Sequence, residues 1–454
     1  MKIYHKFLLY QNKLLKPYVR ILLGLVEALT YLASLLLIVG VVYEHGFPLS
    51  PVEVQQIQIL YKAVWIIFLI DVTLHISLEY RNTKKQYRRL AWILSVLLYL
   101  TLVPVIFHRP EEEGAILQVW EFLHGKFYHL ILLLVFSLLN LSNGLVRLLG
   151  RRTNPSLILA VSFMAIILIG TGLLMLPRCT VNGITWVDSL FTATSAVCVT
   201  GLVPVDVSTT FTTSGLVVII LLIQIGGLGF MTIACLFFFA LRRKIGLRER
   251  MVLAQALGSD SYSGIVSLVR NILRGTAAVE GAGALILFFR FLPEFGFGKA
   301  LWYGVFHSIS AFCNAGFDVL ADTDVGGSLC RYATDPVVNF TIMALIIIGG
   351  LGFAVWGDIR HNRRFFRMSV YTRLVILITT VLIFGGAGIF AALEWNNPGT
   401  LGGLTPSQKL MAALFQSVTL RTAGFASFNQ DALTEASKLL SNILMFVGGS
   451  SGST

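Results

Sequence analysis

Phe191-Thr-Ala-Thr-Ser-Ala-Val-Cys-Val-Thr-Gly201, Phe306-His-Ser-Ile-Ser-Ala-Phe-Cys-Asn-Ala-Gly316 and Phe415-Gln-Ser-Val-Thr-Leu-Arg-Thr-Ala-Gly424 share one layout. Each is an aromatic-led amphipathic segment followed by a run of small residues that closes on glycine. Each also lies between two long apolar stretches, so the chain repeats a helix, re-entrant loop, helix unit. The closing glycines recur at roughly 110-residue intervals, a period long enough for a whole membrane hairpin and a sign of internal duplication. Two crossings per unit return the chain to its starting side. All units therefore share one orientation and can surround an axis along the membrane normal, unlike inverted-repeat carriers.

A segment such as residues 186–196 is too short and too polar to span a bilayer. Non-helical backbone at membrane depth persists only where it is buried or lines a water-filled cavity. A short helix aimed inward presents its negative C-terminal end, which favours a cation. Carbonyls that then line a pore can replace an ion's water shell. That arrangement needs dihedrals hostile to side chains, and Gly201, Gly316 and Gly424 supply positive φ at little steric cost. A four-sided filter needs a fourth copy, which these residues do not contain.

The composition agrees. Of 454 residues, 56% are hydrophobic and 13% charged, with a mean hydropathy of +0.78. About ten apolar runs are long enough to cross ~30 Å of hydrocarbon. The fold class expected is an all-α polytopic membrane protein, with tandem helix–pore loop–helix repeats around a pseudo-fourfold pore. Three of an expected four repeats are seen, preceded by four extra transmembrane helices. The net charge of +12 does not indicate nucleic acid, because the positives fall in alternate turns, the positive-inside pattern. The clusters are Arg81, Lys84, Lys85, Arg88 and Arg89; Arg147, Arg151 and Arg152; Arg242, Arg243, Lys244, Arg248 and Arg250; and Arg360, Arg363, Arg364 and Arg367. Residues 1–16 are basic, no cleavable signal peptide is visible, and an inner N-terminus follows.

Spans are expected near 20–43, 57–79, 88–107 and 117–148, then a boundary at Asn154-Pro155. The organisation read from this is an N-terminal four-helix region at 1–153, repeat 1 at 154–258, repeat 2 at 259–368 and an incomplete repeat 3 at 369–454. Repeat spans are expected near 155–177 and 212–240, 264–294 and 335–358, and 369–394 with another starting near 437. Ile225-Gly-Gly-Leu-Gly-Phe230 and Ile348-Gly-Gly-Leu-Gly-Phe353 echo each other, which suits close helix packing. The five cysteines have no metal spacing; Cys179 and Cys330 fall on outer loops and are read as free thiols sooner than as a pair.

Several charges lie within apolar stretches. Glu27 is in the first span, and Asp71 and His75 share a face of the second, but no arginine ladder follows, so the region reads as a structural or docking bundle rather than a voltage sensor. Glu280 is expected to pair with Arg274 or a neighbouring helix. Arg421, three residues before Gly424, is expected behind the filter or in the outer vestibule against an acid. Asp318, two residues past Gly316, reads either as a mouth charge or as a solvated loop residue. A membrane enzyme would need acids, histidines or a nucleophile clustered at one depth; the eight histidines are scattered and no phosphate loop occurs.

Thr194-Ser-Ala-Val-Cys-Val-Thr-Gly-Leu202, Ala311-Phe-Cys-Asn-Ala-Gly-Phe317 and Arg421-Thr-Ala-Gly-Phe425 resemble the successive filters of the Trk/Ktr/HKT potassium transporter superfamily. The likeness is strongest to the bacterial Trk and Ktr membrane subunits and covers about 155–454. It implies K⁺ as the transported ion, no covalently bound cofactor, and uptake across the cytoplasmic (inner) membrane of a bacterium. Ion binding is implied at Val199, Thr200 and Gly201, at Asn314, Ala315 and Gly316, and at Thr422, Ala423 and Gly424. Glycine at all three closing positions is associated in the family with potassium, and serine in the first with sodium. Val447-Gly-Gly-Ser-Ser-Gly-Ser-Thr454 resembles the start of the intramembrane gate loop, which implies a gate at Gly448, Gly449, Ser450, Ser451 and Gly452. The implied partners are a second copy, as a homodimer, a cytosolic nucleotide-binding regulatory subunit, and the lipid bilayer. The family has four units, so a chain lacking its C-terminal part is expected, which alone would not close a pore. The alternative is a non-conducting assembly or regulatory protein built on the same fold.

Overall fold

The computed structural model describes residues 2–78, 89–107, 115–149, 155–229, 265–320, 328–362 and 364–449, which form two compact units. The basic clusters at 81–88, 151–152 and 242–250 lie outside these residues, as do Cys235 and the gate residues Ser450, Ser451 and Gly452.

The first unit holds α1 (Lys2–Gly46), α2 (Pro51–Leu78), α3 (Arg89–Leu100), the short α4 (Val103–Ile106), α5 (Ala115–His124) and α6 (Lys126–Leu149). α1 packs on α2 and α6, and α3 packs on α2 and α6. Ala33, Leu37, Val64, Phe68, Val72, Leu98 and Leu133 fill the space between them. Polar cross-links sit among these apolar faces: Tyr61 donates to Glu44 (2.6 Å) and Trp65 Nε1 to Thr101 (2.7 Å). The expected single span at 117–148 is in fact α5 and α6 meeting at 52° across Gly125. Asp71 and His75 do meet: His75 Nδ1 lies 2.9 Å from the Asp71 carbonyl and 3.1 Å from its carboxylate, and Glu27 stands 3.9 Å from Nε2.

The second unit holds α7 (Pro155–Leu174), α8 (Trp186–Val197), the short α9 (Val207–Thr210), α10 (Thr213–Leu228), α11 (Ile265–Phe312), α12 (Pro336–Gly350), α13 (Phe353–His361), α14 (Val370–Glu394), α15 (Pro406–Thr419) and α16 (Glu435–Val447). Its starts are written into the sequence. Thr185 caps α8 by accepting from Asp188 N–H, Thr212 caps α10, and Asp335 accepts from Val337 and Val338 before α12, with Pro336 as first helical residue. Thr405 and Gln408 form a capping box on α15, again ahead of a proline. Each arrangement satisfies N–H groups that a helix leaves without internal partners.

The span expected at 264–294 does not stop there. α11 runs on through Pro293 and bends at Gly296 (φ 72°, ψ 172°), so the second re-entrant helix, residues 297–312, joins its outer span with no intervening loop. The span expected at 335–358 is α12 and α13 meeting at 90°. Gly352 makes the break with φ 83°, and Trp356 Nε1 donates to the Ile348 carbonyl (2.9 Å), which the bend would leave without a partner. α10 ends at Leu228, where Gly229 takes φ 76°, and residues 230–240 of the span expected at 212–240 lie outside the described residues.

Within this unit α8 packs between α7 and α10, α10 on α11, α11 on α12, α12 on α15, and α14 on α15 and α16. The echoed glycine pairs sit at these seams. A methyl on Gly226 would overlap the Val197 carbonyl, and one on Gly349 the Phe312 carbonyl, so each second span lies directly against the last turn of its own re-entrant helix. The second glycines face the next repeat: Gly227 meets Cys313, and Gly350 meets Gly449. Close helix packing, as expected, is what these glycines allow.

Gly349→Ala is therefore expected to cost about 1–3 kcal/mol by overpacking, read as a lower unfolding temperature in detergent. Gly385→Ala, on α14 with open space beside it, is the control and gains up to about 1 kcal/mol of helix propensity. Equal shifts would show that the seam does not require glycine.

Candidate functional site

All three re-entrant helices end in loops with the same backbone. Val199, Asn314 and Thr422 have φ of 55°, 59° and 63°, and two residues later Gly201, Gly316 and Gly424 have φ of 81°, 67° and 81°. Left-handed φ is natural for glycine. For β-branched Val199 and Thr422 it is a rarity that the surroundings must enforce. The enforcement is visible. Thr200 N–H reaches back to Ser195 O (2.8 Å), Ala315 N–H to Ser310 O (2.8 Å) and Ala423 N–H to Thr419 O (2.8 Å). The first two bonds run back five residues, as in a Schellman motif, and the third runs back four. Ser310 Oγ then donates forward to the Phe317 carbonyl (2.8 Å) and Thr419 Oγ1 to the Phe425 carbonyl (2.6 Å), gripping the outward leg of the second and third loops. Ser195 Oγ is buried with no hydrogen-bond partner among the described residues. Alternating hand along a chain turns successive carbonyls to one side, whereas a strand would send them to opposite sides.

The loops converge on one another. A methyl on Gly201 would stand 2.5 Å from the Ala315 carbonyl, and one on Gly316 would stand 2.6 Å from the Ala423 carbonyl and 2.7 Å from the Gly424 Cα. Gly424 faces both Gly316 and Gly201. The nine residues 199–201, 314–316 and 422–424 are thus brought together, and their glycines are required twice, by φ and by contact. With three helix C-termini ending here, the partial charge at the meeting point is negative.

Gly448 and Gly449, where α16 stops, lie against the other side of the loops. Gly448 takes φ 57° beside Thr422, and the Gly449 carbonyl accepts from Asn314 Nδ2 (2.5 Å). Arg421 lies here too. Its guanidinium touches Gly449, the side chain is only 5% exposed, and Nε has no hydrogen-bond partner among the described residues. The expected outer acid is absent among those residues; Arg421 instead fills the space between the third loop and the end of α16. Its placement follows from the left-handed Thr422, which no local sequence signal announces.

Other expectations change as well. Asp318 is neither solvated nor at an open mouth; it is buried, 2.6 Å from Nε2 of the fully buried His307. Of the two partners expected for Glu280, the neighbouring helix is the one found: it accepts from Gln224 Nε2 of α10 (3.1 and 3.3 Å). Among the described residues, Cys179, Cys198, Cys313 and Cys330 form no disulfide. Burial raises Cys179 above the usual thiol range, and burial followed by the nearby Asp318 charge raises Cys330, so neither is a ready thiolate. The described residues hold no group of three or more metal-ligating side chains. Sequence reasoning missed the left-handed Val199, Asn314 and Thr422 and the His307–Asp318 pair. The one available signal was a histidine on an otherwise apolar helix face.

Residues 147–454 match the family model described as TrkH, cation transport protein. The Ktr system potassium uptake protein B of Bacillus subtilis (strain 168) is 44% identical over 303 residues, 67% of this chain and 67% of that protein. The potassium/sodium uptake protein NtpJ of Enterococcus hirae is 40% identical over 306 residues, 67% of this chain and 66% of that protein. This chain spans about two thirds of the length of these curated relatives. In three dimensions it is similar to the crystal structure of the potassium transporter TrkH from Vibrio parahaemolyticus, with a TM-score of 0.51 and 17% identity, covering 80% of this chain and 69% of that one. At that identity the likeness speaks for the fold.

Gly183 separates the two demands on the loop glycines, since it has φ 81° and open space beside it. Gly183→Ala is expected to cost only the left-handed term, about 1–2 kcal/mol. Gly316→Ala adds the clash with the third loop, about 1–3 kcal/mol more, measured as unfolding temperatures of the two variants in one detergent. Equal losses would mean that contact between the loops does not constrain Gly316.

Proposed function

This chain belongs to the TrkH cation transport protein family, and we propose that it takes up potassium as the ion-translocating subunit of a Trk/Ktr-type system. The observation that carries the reading is the repeated backbone: three loops with the same left-handed pair, meeting at their glycines, each at the negative end of a helix. Carbonyls of Val199, Thr200 and Gly201, of Asn314, Ala315 and Gly316, and of Thr422, Ala423 and Gly424 then take the place of the ion's water shell. A dehydrated cation needs oxygens at close range and in number, and these loops offer backbone oxygen where side chains are excluded. The names of the relatives support the cargo, since both are potassium uptake proteins and one is a potassium/sodium uptake protein.

Glycine at all three closing positions favours K⁺ over Na⁺ in this reading. Gly448, Gly449, Ser450, Ser451 and Gly452 act as the gate in this reading; of these, Gly449 accepts from Asn314 Nδ2 and lies beside Arg421. We assign the chain to the cytoplasmic membrane of a bacterium with its N-terminus inside, because the basic clusters then all face the cytosol. The partners we assign are a second copy of the chain and a cytosolic nucleotide-binding regulatory subunit. The three repeats divide at 154–258, 259–368 and 369–454, after an N-terminal region at 1–153.

Gly201→Ser tests the reading. A hydroxymethyl group at φ 81°, beside the Ala315 carbonyl, adds an oxygen and displaces the backbone. The expected outcome is a fall in the K⁺/Na⁺ flux ratio of about tenfold, equivalent to ~1.4 kcal/mol, in a complete four-repeat chain reconstituted in proteoliposomes. An unchanged ratio overturns the role assigned to the first loop.

A further inference from the structure

The outward leg of the second loop is held in a way that the other two are not. His307, on the re-entrant part of α11, is fully buried, with Nδ1 2.8 Å from the Tyr303 carbonyl and Nε2 2.6 Å from Asp318 Oδ1. A carbonyl oxygen only accepts, so Nδ1 carries a hydrogen. A bare Nε2 would then set its lone pair against a carboxylate lone pair. A second hydrogen therefore lies between Nε2 and Oδ1, and whichever atom holds it, the pair shares one proton and is neutral overall. Asp318 Oδ1 also accepts from Leu320 N–H (2.7 Å), while Oδ2 is buried with no hydrogen-bond partner among the described residues. One oxygen thus carries the whole connection.

The connection spans the filter segment. His307 precedes Gly316 on the helix and Asp318 follows it, so their contact closes a bracket around the left-handed Asn314 and Gly316. The imidazole also packs against Phe425, the residue after Gly424, at 6.4 Å between ring centres, and edge-on against Phe291 of the outer span at 6.2 Å. The equivalent positions after the other glycines are Val203 and Ala426, which make no such bond through their side chains. Behind the third loop a neutral pair stands instead, Gln416 donating to Gln430 (2.6 Å), and behind the first, Thr192 bonds only its own helix at Asp188 O (2.8 Å).

We propose that His307 and Asp318 are a positioning pair for ion selection, holding the second loop in register with the third so that Gly316 keeps its place at the meeting of the loops. Neither residue touches the ion. The pair acts through the backbone it brackets, and the proposal rests on the potassium reading of the loops.

The test compares Asp318→Ala with Asp318→Asn in the full chain in proteoliposomes, reading the K⁺/Na⁺ flux ratio and the half-saturating K⁺ concentration separately. The amide oxygen of an asparagine can take the place of Oδ1 and accept both from Leu320 N–H and from Nε2–H, the imidazole moving its hydrogen from Nδ1 and giving up the Tyr303 contact, so Asp318→Asn keeps the bracket without charge and is expected to keep both values. Asp318→Ala removes the bracket and is expected to lower the ratio by about tenfold, the factor that one charge-assisted hydrogen bond corresponds to. A merely structural contact would lower the amount of folded protein and leave the ratio intact, which overturns the proposal. A half-saturating concentration raised in both variants also overturns it, since Asp318 would then be attracting cations by its charge. If the alanine variant does not accumulate in the membrane, His307→Asn takes its place, because its shorter amide cannot reach Asp318, and the same two readings decide. A wild-type chain with no K⁺ preference overturns the potassium reading itself, an outcome visible before any variant is made.

Discussion

Left-handed backbone at three matched positions, with no room beside it, is the constraint on which the second unit depends. A single residue at φ near 60° is a local event that glycine or asparagine accommodates cheaply. Here Val199 and Thr422 adopt it, and each is followed two residues later by a glycine that touches another loop. The loops hold this geometry because helix ends, serine and threonine hydroxyls and neighbouring loops determine it together. The required precision explains why the small residues are not interchangeable with merely flexible ones.

The same demand extends outward through the packing. For the loops to meet, the second spans must come to backbone distance of the re-entrant helices, and Gly226 and Gly349 allow it against Val197 and Phe312. For the spans to come that close, their ends must be satisfied within their own segments, and the caps at Thr185, Thr212, Asp335 and Thr405 meet that need. Burial adds the apolar drive: Phe306, Phe312, Phe415 and Ile342 lie fully inside. Sequence, caps, seams and loops form one chain of dependence, in which no link is replaceable by hydrophobicity alone.

Much of this was legible in the residues. Apolar length located most spans, small-residue runs located the loops, and the echo of Ile225–Phe230 at Ile348–Phe353 located the seams. The bends were less legible. The span expected near 264–294 does not stop there, because the helix tolerates Pro293 and the chain turns only at Gly296. The right angle at Gly352 has no sequence signal of its own, since the same Gly-Gly-Leu-Gly run also ends α10 at Gly229. Long-range polar contacts were hidden altogether, since nothing local relates His307 to Asp318 or Asn314 to Gly449. Charge was only half legible for the same reason: Arg421 packs behind the third loop and Glu280 meets a neighbouring helix, each one of two alternatives expected, whereas Asp318 is buried against a histidine.

The continuity of α11 sets how this molecule can be edited. Between α7 and α8 the chain passes over an exposed turn at Gly183, where added residues only lengthen a path. In α11 the outer span and the re-entrant helix are two helices meeting at one non-helical residue, Gly296, with no loop between them to absorb a change of length. One residue inserted in residues 297–306 turns everything before it by about 100° relative to the loop, swinging the face that meets α12 and α10 out of contact. Tags, reporters and natural insertions therefore belong in the connection ahead of α8, and a length polymorphism within α11 would mark a different molecule.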